Sequence, residues 1–564
     1  MNWTKKNTRS EAARIEAIAL VMLLLASAVW RVILLRRTLI NPDELFLVGG
    51  AYRVLHGVLP CVDYIDPRTP LGYKIYALLV AWVGERPDFV EVFRWIHWAM
   101  ALGFQAVLFL QVARAYGRLE ALWALGILNS FSFFILRTVH VRPDLPALWI
   151  FFVFLLAISP QATGRRVSVQ AALAGLGFGL ATSIHITLLF PSAAVGLWLL
   201  LEEWKRERGP SALVAPLWMG AAWSVGCFLG FFVVFKSRIV ELFRIYVQMF
   251  ALEKVYIAYQ RDTGTILRQV LSESAVSWLL VGGALVAGHW RWFKGAWRDS
   301  AGPLYLLLAD SGVLFLLIRK QKFEQHYILV VLFGSIVAAT FVRSWIARAT
   351  HRFRRLPRGW CGALAVLLLA TAAAVSSYRM TTRINDETAS QLVQASDVPA
   401  GVEKENGTCD PEILAAWLQH RRDGYRTPFW ARPKRQQVAQ LRFLLAHSAP
   451  DSVVYTDWMN PPFRRLPAPY NHGLMIPRFF GSQTLRESPE LVRLVRRYDP
   501  TYSADDPSVA NGLIRLFQAA PPRAILIEGA LGDAFCRSEE LRRWIGDRYR
   551  IVMDPDSVSF FAVR

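Results

Sequence analysis

Cysteine is scarce in this chain, five in 564 residues (Cys61, Cys227, Cys361, Cys409 and Cys536). None of them forms a CxxC pair or keeps histidines at zinc-like intervals, so a metal ribbon and a dithiol redox motif are unsupported. A Cys409–Cys536 disulfide is the one pairing left open. Charge is scarce too: 19% of residues are charged against 54% hydrophobic, with mean hydropathy +0.30, a balance that excludes a soluble protein of this size. Acidic residues number 43 against 64 Lys and Arg. That surplus does not indicate nucleic acid, because the relevant cations lie in short loops between apolar runs, where they set membrane topology. Internal repeats are missing as well. This disfavours the alternative of a lipid or glycan transporter or flippase, whose sites lie near the bilayer midplane and often between repeats.

What the chain has in quantity is apolar runs. The first covers 16 to 35 and continues past Ala26-Ser27-Ala28, so it reads as an uncleaved membrane helix rather than a signal peptide. Further spans are expected at 93–113, 119–136, 145–158, 168–182, 184–201, 213–235, 276–290, 302–318, 326–342 and 361–377. That gives about eleven transmembrane helices. With a cytoplasmic N-terminus, the inner segments carry about 20 Lys and Arg against about 5 Asp and Glu. The odd count then places the C-terminal region outside.

The outer segments are 36–92, 137–144, 236–275, 319–325 and the tail. Residues 44–55 and 71–83 read as helices lying on the membrane, and so does 236–275 with its interleaved aromatics. The tail changes character: helical patterning at 412–446 and 491–497 alternates with short strands at 452–455, 524–527 and 549–553. The expected organisation is a membrane domain over 1–377 with a large first outer loop, a linker over 378–411, and an α/β domain over 412–564.

Candidate chemistry gathers at the outer ends of spans. Asn41-Pro42-Asp43-Glu44 follows the first span, and Pro42 suits the first turn of a new helix. The helix dipole there favours ionised acids, and an ionised carboxylate can act as a general base toward a hydroxyl. A lone acid pair at a span mouth reads first as a helix cap. Its company strengthens the functional reading. Arg142-Pro143-Asp144 places another acid beside a base at a second outer entrance, and Arg319-Lys320-Gln321-Lys322 precedes His326-Tyr327 in a short outer loop. Arg68 adds a further outer cation. Cations in short outer loops run against the orientation bias, so they point to an anionic ligand at headgroup level, best met by a lipid phosphate. Three carboxylates, Asp43, Glu44 and Asp144, would also suit a hard divalent cation. His185, alone in an apolar segment, reads as a buried hydrogen-bonding residue rather than a catalytic one.

In order along the chain, Asp43-Glu44, then Ala51-Tyr52-Arg53-Val54-Leu55-His56-Gly57-Val58-Leu59-Pro60, then Asp63-Tyr64 and Thr69-Pro70-Leu71-Gly72-Tyr73 resemble the first outer loop of GT-C-fold glycosyltransferases that use polyprenyl-phosphate sugars. That family includes protein O-mannosyltransferases and lipid A aminoarabinose transferases. Arg142-Pro143-Asp144 resembles its second outer loop, and Lys322 with His326-Tyr327 its later basic loop; the resemblance covers about 15–345. It implies a polytopic α-helical membrane protein of GT-C type with an extracytoplasmic α/β domain, in an envelope membrane such as the bacterial inner membrane. It implies Asp43 as catalytic base, with Glu44 and Asp144 beside it. Arg68, Arg142, Lys320, Lys322, His326 and Tyr327 would then serve the lipid-phosphate donor, with Thr69-Pro70 standing where relatives pair prolines. The reaction implied is sugar transfer from a polyprenyl-phosphate donor, often a mannose donor in the family, to a lipid, protein or glycan hydroxyl. It requires no cofactor.

Overall fold

The computed structural model describes residues 2–60, 69–158, 165–207, 209–239, 263–295, 301–318, 324–352, 360–389, 408–420, 434–450, 452–456 and 509–564. In chain order its helices are α1 Asn2–Arg37, α2 Pro42–Leu55, α3 Pro70–Val83, α4 Phe89–Tyr116, α5 Arg118–Leu128, α6 Ser132–Val139, α7 Asp144–Leu155, α8 Arg165–Ile184, α9 Leu189–Glu207 and α10 Val214–Phe235. They continue as α11 Thr263–Glu273, α12 Ala275–Phe293, α13 Ala301–Ile318, α14 Ile328–Arg352, α15 Trp360–Ala389, α16 Pro411–His420 and α17 Lys434–Ala446. Strand β1 Val454–Tyr455 follows, then α18 Val509–Ala519, β2 Ala524–Leu526, α19 Gly529–Arg537, α20 Glu539–Gly546, β3 Arg550–Asp554 and β4 Ser559–Val563. The chain forms two compact units, 1–36 with 94–233 and 260–383, and 37–93 with 234–259 and 384–564.

The first unit is the helical one. Among the described residues eight helices are long and apolar enough to cross a membrane, or ten if two bent pairs each count as one span. The shortfall against about eleven expected spans is α7, whose 12 residues fall short of the roughly 20 a bilayer needs. The run expected as one span over 119–136 is instead broken, with α5 and α6 meeting at 85°. Asn129 explains how the break survives in apolar surroundings. Its Nδ2 donates to Leu125 O and to Gln105 Oε1, both at 2.8 Å, while Ser130 Oγ donates to Ile127 O at 2.6 Å. Side chains thus replace the lost helical bonds. A second bend of 99° separates α11 from α12, and Ser274 at that break shares a 2.7 Å hydrogen bond with Ser376 of α15.

Two further features hold this unit. The α8 and α10 backbones approach so closely that a Cβ on Gly175, Gly179 or Gly226 would lie 2.2, 2.1 or 2.2 Å from a carbonyl oxygen of the facing helix. Glycine at those crossings is what permits the contact. Arg31 of α1 is 1% exposed. Its Nε donates to Thr138 Oγ1 at 2.9 Å, its Nη1 to Ser27 Oγ at 2.6 Å and its Nη2 to Asn129 Oδ1 at 2.7 Å. Near one end of α1, Glu16 accepts from Arg343 at 3.0 Å and from the Trp123 indole, tying α1, α5 and α14 together.

In the second unit, α2 and α3 form where the sequence places surface helices; α3 leaves Leu78 and Trp82 exposed, as a helix resting on a membrane would. The tail folds around a four-stranded sheet of order β1-β2-β4-β3, with β1 and β2 parallel and the other pairs antiparallel. Strand β4 was not expected: Ser559–Val563 lies in the centre of the sheet, buried on both faces, so its sequence shows no alternation. The Cys409–Cys536 disulfide is also not formed; both are free thiols, Cys409 within the hydrophobic core of the tail and Cys536 packed against it. The helix expected at 491–497 and most of the surface segment at 236–275 lie outside the described residues.

Candidate functional site

The first unit contains a cavity of about 340 Å³, its open mouth included. Asp144, His185, Thr187 and His326 supply its polar lining, and Leu148, Leu188 and Phe315 belong to its apolar wall. Asp144 is the first residue of α7, ahead of the apolar part of that helix. Its Oδ2 accepts from Arg142 Nε at 2.8 Å and its Oδ1 lies 2.9 Å from His185 Nε2. His185 stands at the turn between α8 and α9, where its Nδ1 lies 2.6 Å from Thr187 Oγ1. Burial opposes ionisation of Asp144, but His185 and Arg142 outweigh it and hold the carboxyl well below the usual carboxylate range. An acid so held is a poor proton acceptor and a good anchor. It fixes the Arg142 guanidinium and the His185 ring by one bond from each oxygen.

His326 enters the same cavity from the short helix Glu324–Tyr327 that leads into α14, its ring 5.4 Å from that of Phe315. Tyr327 turns instead to Trp278, ring centroids 6.0 Å apart, and burial raises its phenol. The structure therefore brings Asp144, Arg142 and His326 together with His185, which the sequence reading set aside as a buried hydrogen-bonding residue. Arg68, Lys320 and Lys322 lie outside the described residues.

Asp43 and Glu44 belong to the second unit, at the first turn of α2. Asn41 is the N-cap, in extended conformation, with its Oδ1 accepting from Asp43 N at 2.9 Å. Glu44 returns the bond, its Oε2 accepting from Asn41 N at 2.8 Å. This capping box satisfies donors that the helix start would leave unmet. It gives Glu44, fully buried, a structural task, while Asp43 is partly exposed at the positive end of the helix. His56, at the other end of α2, is exposed and bonded through Nδ1 to its own helix at Tyr52 O, 2.8 Å. Among the described residues no group of three or more His, Cys, Asp or Glu side chains converges as a metal ion requires.

The helical unit with its short, broken helices, and the second unit that joins residues 37–93 to the α/β tail, belong to a chain of GT-C fold. The solved structure of ArnT from Cupriavidus metallidurans bound to undecaprenyl phosphate aligns with 96% of this chain and 97% of its own, with TM-score 0.52 at 12% sequence identity. ArnT in the apo state aligns over 97% of both chains, TM-score 0.51, 13% identity. The Archaeoglobus fulgidus oligosaccharyltransferase in the apo form shows a partial likeness, TM-score 0.38 over 76% of this chain and 60% of that one. No protein-family model and no curated protein matches the sequence.

Proposed function

We propose that this chain is a membrane glycosyltransferase that moves a sugar from a polyprenyl-phosphate donor to an acceptor hydroxyl at the outer face of its membrane. The observation that carries the reading is the fold shared over nearly the whole chain with ArnT, solved with undecaprenyl phosphate bound. The residues support it. Asp43 is a partly exposed acid at a helix N-terminus, and a cavity with apolar walls lined by His185 and His326, with Arg142 paired to the Asp144 that also lines it, suits a phosphate on a lipid tail.

In this reading Asp43 accepts the proton of the acceptor O–H, and the oxygen forms its bond to the anomeric carbon. The bond from that carbon to the phosphate oxygen breaks, and polyprenyl phosphate leaves with the electron pair. One displacement inverts the anomeric centre and needs no protein nucleophile. Arg142, joined by Arg68, Lys320 and Lys322, stabilises the departing phosphate, with His326 and Tyr327 beside it, so the step calls for no resident metal. The sugar stays at the level of a hexosyl or pentosyl group, and the acceptor at a hydroxyl of lipid, protein or glycan. Purified protein supplied with a radiolabelled polyprenyl-phosphate sugar tests the assignment. Asp43→Asn is expected to lower transfer by about a hundredfold or more, as loss of a general base does; unchanged transfer would remove Asp43 from that role.

A further inference from the structure

Within the second unit, α17 reaches from the tail to the start of the first outer loop. Gln437 makes a two-point clamp on the backbone of Ile40: Ile40 N donates to Gln437 Oε1 at 2.7 Å, and Gln437 Nε2 donates to Ile40 O at 3.1 Å. Gln437 is 0% and Ile40 1% exposed. Ile40 precedes Asn41, the N-cap of the helix that carries Asp43. Water is shut out of the clamp, so neither backbone group finds a substitute partner if the amide is removed.

The next turn of the same helix is tied down as firmly. Gln440, on the same face at i+3 and also fully buried, donates through Nε2 to Glu528 Oε1 at 2.7 Å and to Ser559 Oγ at 2.6 Å. Glu528 follows β2 and Ser559 opens β4, so this contact anchors α17 to the sheet. At its first turn, Lys434 Nζ lies 3.4 Å from Glu91 Oε2 at the start of α4. Two buried glutamines on adjacent turns of α17 thus link the sheet of the tail to the residue before the Asp43 cap.

We infer that the tail domain is a positioning element for the helix that carries Asp43, and that Gln437 is the residue through which it acts. The inference rests on the glycosyltransferase reading for its functional consequence, and on the clamp alone for its structural one. Without the amide, the Ile40 carbonyl and N–H are left buried and unmet, the cap shifts, and Asp43 is delivered out of line with the acceptor oxygen. Displacements on the order of 1 Å are enough to cost about a hundredfold in rate. Binding of the donor, which does not require Asp43 to be in line, changes little.

The test uses the full-length protein in nanodiscs with a polyprenyl-phosphate sugar, comparing wild type, Gln437→Met and Gln437→Glu. Gln437→Met is expected to lower kcat about tenfold or more with donor KM within about twofold, and to speed amide hydrogen exchange across residues 40–46. Protonated, the new carboxyl of Gln437→Glu reproduces both bonds, so its kcat recovers as pH falls and declines as pH rises, a profile that lost packing alone would not give. Wild-type transfer with kcat unmoved in Gln437→Met overturns the positioning role, as does unchanged exchange over 40–46. Absence of transfer by wild type overturns the glycosyltransferase reading instead, and the exchange measurement still decides whether the clamp holds the cap. If Gln437→Met fails to fold, the pH profile of Gln437→Glu carries the test, and a flat profile overturns the inference.

Discussion

Replacing Arg31 with methionine should leave the protein as stable as before, or more so, although the arginine makes three close hydrogen bonds. Its partners among the described residues are all neutral: the Thr138 and Ser27 hydroxyls, the Asn129 carbonyl and, at 3.4 Å, the Ser27 backbone carbonyl. No carboxylate among the described residues pairs with it, and its guanidinium lies 5.7 Å from the centroid of the Phe134 ring. Polar contacts inside membrane proteins contribute about 0.6 kcal/mol each, so three amount to about 2 kcal/mol. Keeping a guanidinium out of water costs several kcal/mol. Arg31→Met gives up the first and relieves the second, and the net change is between zero and about 2 kcal/mol of added stability. Asn129→Leu does the reverse: it removes an acceptor from the buried cation together with the bonds that close the α5/α6 break, and should destabilise by about 3 kcal/mol or more. Equilibrium unfolding of the purified protein in mixed detergent reads both. A loss of more than about 3 kcal/mol in Arg31→Met, or a neutral Asn129→Leu, would refute the reasoning.

Other expectations follow from the same geometry. Gly179→Val places a side chain where a Cβ already meets Trp223 O at 2.1 Å; the facing atom is backbone, so α8 and α10 must separate, and the variant should lose at least about 3 kcal/mol, or not accumulate folded. Glu16→Gln weakens the acceptor shared by Arg343 and Trp123 and should destabilise by about 1 to 3 kcal/mol in the same unfolding assay while leaving donor KM unchanged. Asp144 has a folded value below its unfolded one, so its contribution to stability is complete above about pH 4 and is lost as pH falls through the lower folded value. Infrared difference spectra of wild type against Asp144→Asn should show no protonated carboxyl band at pH 5; a band at that pH contradicts the pairing. Substituting His185 by Phe frees the Asp144 oxygen it holds at 2.9 Å, and is expected to raise donor KM several-fold in the transfer assay.

Local signals carried much of this far. Proline after the first span and two acids in the next turn make the start of α2 readable, and the apolar run 71–83 reads as a helix lying on the membrane. The α5/α6 break is not readable in this way. The run 119–136 carries one charge, Glu120 near its start, and reads as a single span, while the bend depends on Gln105 and Arg31, 24 and 98 residues from Asn129. His185 lay in the same blind spot, since the acid that gives it meaning is in another helix. Gln437 was invisible for a related reason: nothing in a Lys-Arg-Gln-Gln helix start announces a clamp onto a backbone 397 residues away. Where function depends on one helix end being held by another segment, composition and periodicity name the segments and leave their pairing to the fold.

The most direct measurement is the fate of a labelled sugar on polyprenyl phosphate offered to the purified protein in sealed vesicles. The account predicts that label leaves the lipid for an acceptor hydroxyl with its anomeric configuration inverted, that polyprenyl phosphate is released in equal amount, and that Asp43→Asn stops both. Label that crosses the bilayer still attached to its lipid, with no polyprenyl phosphate released, would contradict it and make the chain a carrier.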